Sequence, residues 1–176
     1  MHRETVMAFC LFSLLLGGCS SKEEKALLQV YNKEKVYYKK LLHTEKAQLY
    51  DANETKVLLT ATYLYSQTDV PKEKDKRDEV FIIGLYMEDE EVARFTAGDF
   101  NLTLNGETPK SVKILKKADK RLKNIPFITD WGDYFEVVFP YTLSMKFDLV
   151  FNSETYGVKK LHFAKKAKYV FTKEAF

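Results

Sequence analysis

Phe100-Asn101-Leu102-Thr103-Leu104-Asn105-Gly106 is the stretch on which the fold turns. Phe100, Leu102 and Leu104 alternate with Asp99, Asn101 and Thr103, the period-two pattern of a strand buried on one face. Asn105-Gly106 follows at once and supplies the two positive-φ positions that a tight type I′ hairpin turn requires. The spacing predicts a returning strand over residues 111–115.

The same alternation continues on either side. Upstream, Val57, Leu59, Ala61, Tyr63 and Tyr65 share one face of a first strand. Residues 68–78, with Pro71 and mixed charges, read as a loop. Residues 79–88 are apolar on both faces (Val80, Phe81, Ile82, Ile83, Leu85, Tyr86, Met87), as a central strand should be. Downstream, a basic loop containing Pro126 leads to Trp131-Gly132-Asp133. Phe135, Val137 and Phe139 then form one strand, and Met145, Phe147, Leu149 and Phe151 another, with Pro140 between them. Residues 152–157 make a turn, and Leu161 and Phe163 mark a last strand that continues or restarts through Tyr169 to Phe171. About seven strands in roughly 115 residues is the rhythm of a mainly β, antiparallel β-sandwich. A small closed β-barrel suits the same strand lengths and stays open as an alternative.

Whole-chain numbers agree with one ordinary domain plus a modest extra segment in 176 residues. Aromatic residues make up 14% of the chain while Gly and Pro are sparse, which favours a strand-rich core. A net charge of +3 is too small for the concentrated basic face of a nucleic-acid binder, so no nucleic acid is expected as a partner. Both cysteines, Cys10 and Cys19, fall in the first twenty residues. A disulfide between them would tie only a processing segment, so the domain is expected to stand on its core alone.

Residues 6–16 form a nearly unbroken apolar run behind Arg3. That is short of the about 20 residues of a membrane-spanning helix and has the length of a signal-peptide h-region. It ends in Leu16-Gly17-Gly18-Cys19, an aliphatic residue, two small residues and a cysteine. This string resembles the lipobox of bacterial lipoprotein precursors. The resemblance implies that residues 1–18 are a signal peptide, with Leu16, Gly17 and Gly18 recognised by the signal peptidase. It implies further that Cys19 becomes the acylated N-terminus that holds the protein in a lipid bilayer. Ser20 in place of aspartate points, by the same resemblance, to the outer membrane of the cell envelope. The strand rhythm of residues 54–176 is similar to that of immunoglobulin-like domains, which small envelope lipoproteins are known to carry. The Cys…Trp…Cys pin of antibody domains is absent.

Residues 19–50 are expected to form the lipidated N-terminus and a helical stalk. No Gly or Pro occurs from Lys22 to Gln48, and Leu27, Val30 or Tyr31, Tyr38, and Leu41 or Leu42 fall near a 3.6-residue period broken by Glu34. The lysines of the polar side (Lys22, Lys25, Lys33, Lys35, Lys39, Lys40) either face solvent or rest on anionic lipid headgroups.

Chemistry-bearing motifs are scarce. His43 and His162 stand far apart without metal-ligand spacing, and no nucleophile elbow, P-loop or H-E-x-x-H string occurs. Asp89-Glu90-Glu91 reads as a solvated turn. No catalytic residue, cofactor or metal site is expected, and the chain is read as a non-enzyme. Trp131-Gly132-Asp133-Tyr134 is the most distinctive local string. Trp131 either plugs the end of the sandwich or stands on the surface as an aromatic anchor for a partner. The basic loop Lys116, Lys117, Lys120, Arg121 and Lys123 is either solvated or, if it shares a surface with Lys165, Lys166 and Lys168, a site for phosphate-rich envelope glycolipid or an acidic protein. The leading expectation is a protein-binding or assembly module that contacts an envelope protein or a second copy of itself. A carrier or sensor of a small apolar or lipid ligand is the alternative.

Overall fold

The computed structural model of the chain describes residues 22–64, 76–87 and 100–165. The lipobox residues Leu16, Gly17, Gly18 and Cys19, the loop at Pro71, the Asp89-Glu90-Glu91 turn, Lys166, Lys168 and the strand expected at Tyr169 to Phe171 lie outside the described residues. The chain divides into two units, residues 1–35 and 36–176.

The first described element is α1 (Lys22–Leu41), a helix of good helix formers with Lys39 and Lys40 in its last turn, where cations meet the negative end of the helix dipole. In the first unit its Leu28, Val30 and Tyr31 are exposed. The helix is shorter than its composition predicts. It stops at Leu41 rather than running to Gln48, and the chain enters a strand instead.

Eight strands follow among the described residues: β1 (Thr44–Asp51), β2 (Glu54–Tyr63), β3 (Glu79–Met87), β4 (Phe100–Leu104), β5 (Ser111–Leu115), β6 (Asp133–Phe139), β7 (Lys146–Ser153) and β8 (Gly157–Ala164). Seven match the alternating segments of the sequence; β1 is the one the composition concealed. Its eight residues pair antiparallel with β2 from Thr44↔Thr62 to Asp51↔Glu54. Ala52 (φ 44°) and Asn53 (φ 77°) supply the two left-handed positions of the connecting turn. The burial of Leu49 opposite Val57 outweighs the helix preference of Lys-Ala-Gln-Leu.

The strands form two antiparallel sheets, β1-β2-β3-β6-β5 and β4-β7-β8. In this order β2-β3-β6-β5 and β4-β7-β8 reproduce the A-B-E-D and C-F-G sheets of the immunoglobulin-type sandwich, with β1 added outside the first. The sandwich, not the closed barrel, is the architecture: each sheet keeps its own ladder, and among the described residues no register joins them.

The turn at Asn105-Gly106 has the expected geometry, with φ of 49° and 90°, and Leu104 and Glu107 exchange two N–H···O bonds of 2.9 Å across it. The partner expected for β4 is nevertheless corrected. β4 pairs with β7 and β5 pairs with β6, so the chain crosses from one sheet to the other here. Pro109, which has no N–H, cannot extend a hairpin ladder, and Lys110 N already donates to Val138 O of the opposite sheet at 2.7 Å.

Between the sheets the inward residues of both interleave. Phe81 meets Tyr63, Phe139, Phe147 and Phe163 with ring centroids 5.0, 5.8, 6.2 and 5.2 Å away, three of them edge-on, the arrangement aromatic quadrupoles favour. One charged pair closes the end of this core. Glu79, 3% exposed, takes Lys165 Nζ at 2.6 Å and Thr142 N at 3.2 Å on Oε1, and Tyr63 donates its hydroxyl to Oε2. Lys165 also donates to Thr142 O at 2.6 Å and lies over the Tyr141 ring. The start of β3, the β6–β7 connection and the end of β8 are thereby tied together.

Two expected outcomes follow from this packing. Removing one partner leaves a buried charge alone, so Glu79→Ala lowers unfolding free energy by about 3–5 kcal/mol in urea titration, and the paired change Glu79→Leu/Lys165→Met recovers part of it. His43, in the turn after α1, is 8% exposed, rests edge-on against Tyr63 at 6.1 Å and bonds the Ala164 backbone. Burial, and then Lys39, push its pKa below the usual 6.5 despite that bond. The fold therefore favours the neutral ring. Stability is unaffected above the ordinary value and falls as pH drops below it. Melting temperature should decline as pH falls below about 6.5, and His43→Gln should flatten that decline.

Candidate functional site

The outer face of the five-stranded sheet can be read row by row from its register. Thr44, Thr62, Ile82, Glu136 and Lys113 make one row; Lys46, Thr60, Gly84, Tyr134 and Leu115 the next; Gln48, Leu58 and Tyr86 a third. The first two rows carry apolar residues that the sandwich core cannot reach. The segment between β5 and β6 covers them: Leu122 and Ile125 pack on Ile82, Leu115 and Tyr134 in a second hydrophobic cluster. This cover explains why β3 is apolar on both faces.

Ion pairs pin the covering segment. Asp119 caps the 3₁₀ turn Lys120–Leu122 by accepting from Arg121 N at 2.9 Å. Arg121 bridges Asp119 at 2.6 Å and Glu136 at 2.7 Å. Its hydrogen bonds, with its charge, hold the Asp119 carboxyl well below the usual carboxylate range. Lys40 Nζ reaches across to Lys123 O at 3.0 Å, and Lys117 Nζ donates to Asp130 O. Arg121 is therefore not a spare cation for a partner; Lys116, Lys117, Lys120 and Lys123 are exposed. Lys165 is not a spare cation beside the basic loop, because it is half-buried and paired with Glu79.

Tyr134 fixes where the cover ends. Its hydroxyl accepts from Thr129 N at 2.6 Å and donates to Thr129 O at 3.0 Å. The ring lies flat on the sheet because residue 84 has no Cβ. A methyl there would stand 2.9 Å from the ring and 2.5 Å from Thr60 Oγ1. Beyond that edge the third row is uncovered, and a groove of about 670 Å³ opens. Tyr50, Leu58, Tyr86 and Phe127 line it with Thr129, Gly132 and the lysines Lys46, Lys159 and Lys160. Phe127 holds a left-handed backbone (φ 61°), a conformation costly for an aromatic residue, and its ring takes Lys46 Nζ at 3.2 Å from the centroid. Tyr50 turns outward after a bulge at Leu49/Tyr50 and bonds Gln48 at 2.5 Å. Lys159 Nζ sits 5.9 Å from its ring.

Trp131, next to groove-lining Gly132, is 79% exposed. The plug reading is thus overturned. Tyr134 and the Leu122 and Ile125 side chains already fill the space over the sheet, which leaves the indole in solvent. The groove residues Tyr50, Leu58, Tyr86, Phe127, Lys46 and Lys159 were not singled out from the sequence. Leu58 and Tyr86 carried a usable signal, since each is a large apolar residue at an outward position of its strand.

On the other sheet, His162 is exposed and bonds Asp148 (Nδ1 to Oδ1, 2.6 Å), with Lys160 3.3 Å from the second oxygen. His162 first, then Lys160, hold the Asp148 carboxyl below its ordinary range. Among the described residues no three His, Cys, Asp or Glu side chains stand together as a metal set, and no described helix is long and apolar enough to cross a membrane. Comparison with protein-family models, curated proteins and solved structures finds no match to the chain.

Deleting one hydroxyl tests the edge of the cover. Tyr134→Phe leaves Thr129 N without its bond and should lower stability by about 1–2 kcal/mol. Hydrogen exchange should speed up selectively in the segment before β6.

Proposed function

We propose that this chain is a non-enzymatic protein-binding or assembly module of the bacterial cell envelope, held at a membrane by acyl chains on Cys19. The observation that carries the binding role is Trp131, 79% exposed beside a groove walled by Tyr50, Leu58, Tyr86 and Phe127. Large aromatic side chains left in water at the rim of an apolar groove have the composition of an interface hot spot. The Leu16-Gly17-Gly18-Cys19 string supports the anchor, and Ser20 favours the outer membrane. Several acyl chains, each worth about 0.8 kcal/mol per buried CH₂, make a lasting attachment. The size and apolar walls of the groove also suit the second reading, a carrier of a small apolar or lipid ligand.

Site-specific photo-crosslinking in native membranes tests the binding role. A benzophenone side chain replacing Trp131 should give a discrete crosslinked protein, and the same probe at Glu154, on the β7–β8 turn, should not. Equal labelling at both positions, or none at Trp131, would remove the proposal. Cys19→Ser should release the chain from the membrane fraction; retention would count against the anchor.

A further inference from the structure

We propose that the groove over the five-stranded sheet takes an extended acidic peptide, with two carboxylates about four residues apart and an apolar or aromatic side chain between them. The inference deepens the binding role above and rests on it. Its first support is charge. Among the described residues the groove is lined by Lys46, Lys159 and Lys160 and by no carboxylate. Lys160 has Asp148, but Lys46 and Lys159 have no carboxylate partner among the described residues; their contacts are the rings of Phe127 and Tyr50. A cation against an aromatic face has given up part of its water, and a ligand carboxylate restores what the groove itself does not supply.

The second support is spacing. Lys46 with Phe127 and Lys159 with Tyr50 mark two stations on β1. The four residues from Lys46 to Tyr50, at about 3.3 Å each, set the backbone positions of the stations roughly 13 Å apart. One anionic headgroup cannot serve both, whereas a peptide with acids at positions i and i+4 can. Leu58 and Tyr86 lie in the row beside this stretch and would receive the apolar side chain in the middle.

The third support is the strand itself. β1 is an edge of its sheet, and Lys46, Ala47, Gln48 and Tyr50 all reach the groove. A ligand over Lys46, Gln48 and Tyr50 follows the outward side of β1, with Lys159 and Lys160 of β8 beside it.

Fluorescence anisotropy on the full-length chain in detergent solution tests the assignment. The probe is a labelled seven-residue peptide with glutamate second and sixth, phenylalanine fourth and serine elsewhere. Saturable binding is expected, at least about tenfold weaker for Lys46→Glu/Lys159→Glu and weaker again as salt rises, with an unchanged melting temperature for the variant. Equal binding of a peptide with lysine in place of glutamate, or no loss on charge reversal, overturns the assignment. So does full displacement by dodecanoate with unchanged affinity for the serine-for-phenylalanine peptide, which would give the groove to a fatty anion. If the peptide fails while the Trp131 crosslink persists, the acidic ligand falls and the protein-binding role stands. Loss of both removes the role as well.

Discussion

Four aromatic rings close on Phe81, two from its own sheet's strands β2 and β6 and two from β7 and β8 of the other. Both cysteines lie in the first twenty residues, so no disulfide pins the two sheets together as in antibody domains. Ring-on-ring packing must do that work, and it sets the distance at which every other contact forms. Buried Glu79 reaches both Lys165 and Thr142 only because the sheets stand at this separation. The aromatic richness of the chain is thus a structural necessity before it is anything else.

Much of this was legible in the sequence, for a definite reason. Where one face is buried, period-two alternation is enforced by the pleat, and seven strands announce themselves through it. β1 escaped because Thr44-Glu45-Lys46-Ala47-Gln48 has no branched or aromatic alternation, and its strand state comes from pairing with β2. The Asn105-Gly106 turn was readable in its dihedral angles but not in its partners. Positive φ is a local property, whereas the choice between sheets depends on Pro109 and on Lys110 bonding Val138. The site was the least legible part. Arg121 read as a free cation because its partners, Asp119 and Glu136, are brought to it by the fold. Trp131 could be read as a plug or as a surface anchor, because the choice turns on the occupation of the sheet by Tyr134, Leu122 and Ile125, which leaves the indole outside.

The division of the outer face into a covered and an open half is what gives the domain a site. An immunoglobulin-type sheet whose outer face were wholly polar would offer no pocket, and one wholly covered would offer no access. Here the segment from β5 to β6 stops at Tyr134, held by Thr129 and by the missing Cβ at Gly84.

The placement of β1 also has a mechanical side. It is the first strand after the helix, and β2 is its one strand partner among the described residues. Tension arriving from the N-terminus would load it at Thr44 and peel it from its neighbour one pair at a time. The bonds gathered at that point act as a stop against peeling: Thr44 Oγ1 to Lys40 O at 2.8 Å, Thr44 Oγ1 to Thr62 Oγ1 at 2.9 Å, Tyr63 N to His43 O at 2.9 Å. A load applied through the helix and countered by a ligand seated along Lys46 to Tyr50 would travel through only a few residues. Most of the sandwich would carry no strain at all.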